Sequence, residues 1–161
     1  MKAASVNDLK KELKELSPAQ LVELCVQLAK YKKDNKELMA YLLFDAHNKQ
    51  DYVLQIKQEM ESQFAEIDHG ANLYFSKKTI RKILRQTLKY CRYLGDPALA
   101  AELHIFFCRQ LLDSGIPFTK SQTLINLYEQ ELKRIHTFIS ALHPDIRHDF
   151  DNELAYIQHY N

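Results

Sequence analysis

Glycine and proline are scarce in this chain, with three Gly and four Pro among 161 residues. Strand-rich folds need many turns, and turns draw on both residue types, whereas helix interiors tolerate neither. The scarcity points to an all-α fold before any periodicity is read. At this length a single domain, 1–161, is expected, burying about two-thirds of the surface its unfolded form exposes. A hydrophobic fraction of 46% and a charged fraction of 27% argue for a globular core and against a disordered or fibrous class.

Apolar residues recur at three- and four-residue spacing along most of the chain. Leu9, Leu13 and Leu16 mark a first, lysine-rich helix behind Ser5 or Asn7. Ser17-Pro18-Ala19-Gln20 reads as an N-cap, a first-turn proline and the reciprocal member of a capping box, opening a second helix with Leu21, Leu24, Cys25 and Leu28 inward. Asp34 is expected to cap a third helix through Leu38, Met39, Tyr41, Leu42, Leu43 and Phe44, apolar on most sides and therefore well buried. A fourth, near 51–68, aligns Tyr52, Ile56, Met60, Phe64 and Ile67 opposite an acidic face.

After His69-Gly70 an irregular stretch with Asn72, Tyr74 and Phe75 leads to Ser76, the expected cap of a fifth helix. That helix turns Ile80, Ile83, Leu84, Thr87, Leu88, Cys91 and Leu94 inward and stops at Gly95. The sixth, 98–112, carries so few charges that it should be the central helix, closed by Gly115. Thr119 or Ser121 can cap a seventh, with Leu124, Leu127, Tyr128, Leu132, Ile135, Phe138 and Leu142 inward. Pro144 opens an eighth. The fold class is thus all-α, with seven to eight short helices packed as antiparallel hairpins, HEAT-like or an irregular bundle. A faint echo between LAKYKK at Leu28 and TLKYCRYLG at Thr87 favours stacked hairpins.

The sharpest chemical feature is the basic helix 77–93. Lys77, Lys78, Arg81, Lys82, Arg85, Lys89 and Arg92 follow one another without an acid, although the whole chain carries a formal charge of only +1. Lys78, Lys82, Arg85, Lys89 and Arg92 repeat at helical spacing and form a ridge opposite the apolar face. Lys30, Lys32, Lys33 and Lys36 form a second cluster, and Tyr31, Tyr90 and Tyr93 interleave with these charges, a mixture suited to phosphates and bases. Against that stands internal pairing of the ridge with Asp51, Glu59, Glu61, Glu66 and Asp68 of the preceding helix, the arrangement favoured by their adjacency in sequence.

Other chemistry finds little support. Glu66-x-x-His69 and Asp145-x-x-His148 have the carboxylate–imidazole spacing of di-iron bundles, but both sit at helix ends, where they serve the helix dipole. His148-Asp149 matches the central dipeptide of HD-type phosphohydrolases without the further histidine and aspartate such a site needs. His104, between apolar residues of the sixth helix, reads as a hydrogen-bonded core residue. Cys25, Cys91 and Cys108 read as reduced core thiols. No glycine-rich phosphate loop is possible with three isolated glycines. No catalytic, cofactor or metal residue is assigned.

VNDLKKELKELSPAQLVELCVQLAKYKKDNKELMAYLLF, together with SKKTIRKILRQTLKYCRYLGD, resembles a group of small, all-helical bacterial proteins without an assigned activity. That resemblance implies a helical fold and a cytoplasmic location, and it carries no functional residue. The opening also resembles a SAP-type DNA-binding helix pair in its leucines and lysines, but it lacks the glycine turn between those helices.

With no signal-peptide core in the first residues and no apolar stretch of membrane length, the expectation is a cytoplasmic protein that engages no membrane. Its expected function is a non-enzymatic helical protein-interaction module for a protein partner, acidic if the ridge is the contact. The alternative is a nucleic-acid-binding accessory protein using the basic helix, and a metal-dependent enzyme stands third.

Overall fold

The structure, a computed structural model, describes residues 3–68, 70 and 72–159. Among these the chain runs from helix to helix with no strand. It divides into two compact units, Met1–Ala46 and His47–Asn161, although no shift in composition marks the join.

In the first unit α1 (Val6–Glu15) starts at Ser5, whose side chain and that of Asp8 cap each other's backbone amides. Helix α2 (Pro18–Tyr31) opens on the expected box: Gln20 Oε1 accepts from the Ser17 amide at 2.9 Å and Ser17 Oγ from the Gln20 amide at 3.3 Å. Helix α3 (Lys33–Ala40) packs on α2 and widens into a π turn at Tyr41–Asp45. Asp34 is not its cap. Lys32 holds that position without a side-chain bond, and Asp34 lies in the first turn.

The expected burial of this region is corrected. None of α1, α2 or α3 contains a buried residue, and among the described residues of the unit Tyr41 alone is buried. Leu28, Leu38, Leu42, Leu43 and Phe44 are exposed, and so is Cys25. Three short helices in about 46 residues cannot enclose a core of their own. An apolar stripe in a sequence records that a face is apolar, not that the helices of the same unit cover it.

The second unit comprises α4 (Lys49–Ala65), α5 (Leu73–Leu94), α6 (Pro97–Asp113), α7 (Gln122–Ser140), the short α8 (Pro144–Arg147) and α9 (Asp151–Gln158). Helix α6 packs against α4, α5, α7 and α9. It buries Leu99, Ala100, Ala101, Leu103, His104, Ile105, Phe107, Cys108 and Leu111. Of the two architectures expected, the unit is therefore an irregular bundle about a central helix. The join from α5 to α6 is abrupt: Gly95 adopts φ +60°, and Asp96 Oδ1 then accepts from the Ala98 amide at 2.9 Å with Pro97 in the first turn. Lys49 Nζ donates to the Leu94 carbonyl at 3.1 Å, placing a cation at the negative end of α5.

Two boundaries differ from expectation. Helix α5 begins at Leu73 on an Asn72 cap, so Tyr74 and Phe75 are helical and Ser76 is buried inside the helix. Ser121 does stand at the N-cap of α7, yet its buried hydroxyl makes no bond. Phe106 is also less enclosed than a core residue. It is half-buried, with Lys57 Nζ 5.2 Å above its ring, while its neighbour Phe107 is fully buried against Phe64. We predict that Phe107→Ala lowers unfolding stability by about 3–5 kcal/mol, while Phe106→Ala costs distinctly less. Urea midpoints at constant m-value measure both.

A cationic groove over a buried charged cluster

Helix α5 turns Ser76, Ile80, Ile83, Thr87, Cys91 and Leu94 into the core. This three- and four-residue spacing projects Lys78, Lys82, Arg85 and Arg92 to the opposite side, where all four are exposed; Lys89 is half-buried with its Nζ 5.5 Å from the Tyr90 ring centroid. For Lys78, Lys82, Arg85 and Arg92 the pairing expected with the acidic face of α4 does not form. Glu59 instead meets Gln63 at 3.2 Å and the Tyr90 hydroxyl at 3.3 Å, and Gln63 donates to Gln86 at 2.9 Å. Among the described residues no carboxylate stands within ion-pairing distance of Lys77, Lys78, Arg81, Lys82, Arg85 or Arg92. The reason is angular: Gln86 and Tyr90 occupy the flank of α5 that meets α4, and Lys78, Arg85 and Arg92 project well away from it.

On its other flank α5 faces α7. Both helices lie against α6 and leave a groove between them. One section, of about 480 Å³, is lined by α5 alone, through Tyr74, Lys77, Lys78 and Arg85 together with Arg81, Leu84 and Leu88. The last three also line a second section of about 350 Å³, where α7 contributes Thr123, Asn126, Leu127, Gln130, Glu131 and Arg134. Half-buried Leu84, Leu88 and Leu127 form an apolar floor, and cations dominate the rim. Thus Lys78 and Arg85 of the expected ridge reach the groove, whereas Lys82, Lys89 and Arg92 do not line it. Lys77, Arg81 and Arg134 join them instead.

Glu131 is the single carboxylate in this lining, and it belongs to the core, with 1% of its surface exposed. Its Oε2 lies 2.5 Å from His104 Nδ1, and its Oε1 accepts from Arg134 Nη1. A carboxylate only accepts, so Nδ1 carries the hydrogen. His104 is fully buried, stacks on Phe138 at 5.5 Å, and leaves Nε2 without a partner. The same carboxylate acts on two buried thiols. Burial, reinforced by Glu131 and opposed by Arg134, pushes the Cys91 thiol up to about 12, and burial with Glu131 raises Cys108 well above its ordinary value.

Sequence reading identified His104 as a bonded core residue but passed over Glu131 and Arg134. The signal was present: Glu131 falls on the stripe Leu124, Tyr128, Glu131, Ile135, all buried, and a carboxylate on such a stripe requires a buried partner.

Of the two carboxylate–histidine pairs, His69 of the first lies outside the described residues. In the second, Asp145 meets His143 at 3.4 Å and His148 meets Asp151 at 3.1 Å instead of each other. Among the described residues no three His, Cys, Asp or Glu side chains converge as metal ligands, and no helix is long and apolar enough to cross a membrane. No family model, curated protein or solved structure matches the chain.

Two predictions follow from the buried cluster. Glu131→Ala should destabilise the fold by about 3–5 kcal/mol, since it strips His104 and Arg134 of a partner shared in the core; thermal and urea unfolding both report it. At pH 8 a thiol near 12 is thiolate in only about one part in 10⁴. A dilute native sample should therefore show one fast-reacting cysteine, Cys25, with Cys91 and Cys108 titrating after denaturation, as a chromogenic disulfide reagent would count.

Proposed function

We propose that this chain is a non-enzymatic interaction module that holds an acidic, amphipathic protein segment in the groove between α5 and α7. One observation carries the reading: an apolar floor of Leu84, Leu88 and Leu127 lies under a rim of Lys77, Lys78, Arg81 and Arg85 that has no carboxylate partner among the described residues. A helix laid in such a groove buries leucine-type side chains at three- and four-residue spacing while its flanking Asp and Glu meet the rim. Uncompensated charge along one side speeds encounter with an acidic partner and excludes basic ones.

A nucleic acid would use the cations but gains little from a leucine floor, because its outer surface is phosphate and sugar. The non-enzymatic part of the reading is supported by the chemistry of the candidate nucleophiles in this unit. Cys91 and Cys108 are buried and held as thiols, and the imidazole of His104 is enclosed by the core.

The test is fluorescence anisotropy with the full chain and a labelled helical peptide carrying leucines at i, i+4 and i+7 flanked by glutamates. Micromolar binding is expected, weakened at least tenfold in Arg81→Glu/Arg85→Glu, which is about 1.4 kcal/mol or more. Thermal stability should barely change, because exposed charges contribute little to folding. Binding of single-stranded or duplex nucleic acid in preference to the peptide, with a salt slope near −0.9 per duplex phosphate contact, would assign the cations to phosphate and overturn the protein-partner reading.

A further inference from the structure

We propose that Arg134, held in one orientation by buried Glu131, is the specificity-determining contact of the groove, and that it fixes the place and reach of a single Asp or Glu side chain in the bound segment. This role rests on the reading that the groove holds an acidic segment; within it Arg134 chooses, while Lys78 and Arg85 attract. Helix α7 supplies Glu131 and Arg134 three positions apart, so they share a face, and both line the section of about 350 Å³. Glu131 is 1% exposed, whereas 35% of the Arg134 side chain is open to solvent. The pair thus runs from the core to the groove wall.

The hold on Arg134 begins two residues deeper. Arg134 Nη1 donates to Glu131 Oε1, and Glu131 Oε2 is engaged by His104 Nδ1, on an imidazole that is fully buried and stacked on Phe138. Glu131 cannot swing toward solvent without giving up both bonds, so its fixed position passes to the guanidinium. A guanidinium bonded through Nη1 keeps the parallel Nε–H and Nη2–H of its other edge, a pair that matches the two oxygens of one carboxylate. Lys78, Arg81 and Arg85 are exposed and have no carboxylate partner among the described residues. Their long side chains can follow a partner's charge over a range of positions, as an unheld cation does. A fixed fork accepts a carboxylate only where both oxygens reach it. The single methylene that separates Asp from Glu then decides whether the contact forms.

Fluorescence anisotropy with the full chain and the labelled leucine–glutamate peptide tests the assignment, the peptide being amidated so that side chains are its only carboxylates. Each peptide glutamate is replaced in turn by glutamine and by aspartate. With the wild-type chain one position should stand out: glutamine there weakens binding at least about tenfold and aspartate about fivefold, against roughly threefold or less elsewhere. In Arg134→Lys, which keeps a cation beside Glu131, that position should fall to the level of the others. In Glu131→Gln, which keeps the side-chain volume but loosens the hold on Arg134, the peptide should still bind while glutamate and aspartate become equivalent within about twofold. General damage to the fold would weaken every peptide alike and would not equalise these two. Thermal unfolding shows which variants are folded, and if Glu131→Gln is not, Arg134→Lys decides by itself. Even losses along the wild-type complex, or a preferred position that survives in Arg134→Lys, overturn the proposal and leave the acidic-segment reading standing. An undiminished distinction between aspartate and glutamate in folded Glu131→Gln overturns the positioning role of Glu131. Failure of the wild-type chain to bind the peptide at all overturns both the proposal and that reading.

Discussion

The requirement to cover most of α6 governs the second unit. That helix leaves a strip through Glu102, Phe106, Arg109 and Asp113 partly open and buries nine residues on its other sides, so α4, α5, α7 and α9 all pack on it. Cylinders crowded around a common axis cannot all touch one another. Where α5 and α7 meet α6 rather than each other, a groove opens whose floor is the apolar edge of both helices. The groove thus follows from core packing, and its charge follows from a separate fact, that the outer positions of α5 are lysine and arginine with no acid among them.

The buried cluster links those two levels. Glu131 sits where a leucine would satisfy the packing, and it is tolerated because His104 and Arg134 between them occupy both of its oxygens. Removing a carboxylate from water is costly, and a hydrogen-bonded imidazole on one side with a guanidinium on the other offsets that cost. The consequence reaches the surface, since Arg134 is held from within the core while its other N–H groups remain at the groove wall.

Much of the second unit was legible in the sequence. Gly95 with Asp96-Pro97 announces an abrupt helix–helix join because only glycine takes a left-handed turn freely and proline suits a first turn. The near absence of charge from 98 to 112 announces a central helix. The ridge was legible too, as one face of a helix, but its surroundings were not: which flank of α5 meets α4 depends on crossing angles that no residue spacing encodes. Hence Lys82, Lys89 and Arg92 belonged to the sequence ridge and not to the groove, while Arg134, from a helix some forty residues on, joins it. Asn72 and Ser76 both have cap chemistry, and only the packing of Ser76 against the core decides between them. In the first unit the leucine stripe is legible, but the unit's own three helices do not enclose it, because periodicity measures the match between a pattern and a helix, not the presence of a cover.

The two ends of the groove differ in stiffness. In one section Arg134 is held by Glu131; in the other, Lys78 and Arg85 are long, exposed side chains. A preoriented guanidinium gives up little rotational freedom on meeting a carboxylate, whereas a free lysine gives up more but accepts a wider range of geometries. A segment lying along the groove would encounter a strict reader at one end and a permissive one at the other. For the acidic segment proposed to bind there, that difference would supply a polarity, a basis for telling a chain laid in one direction from the same chain reversed.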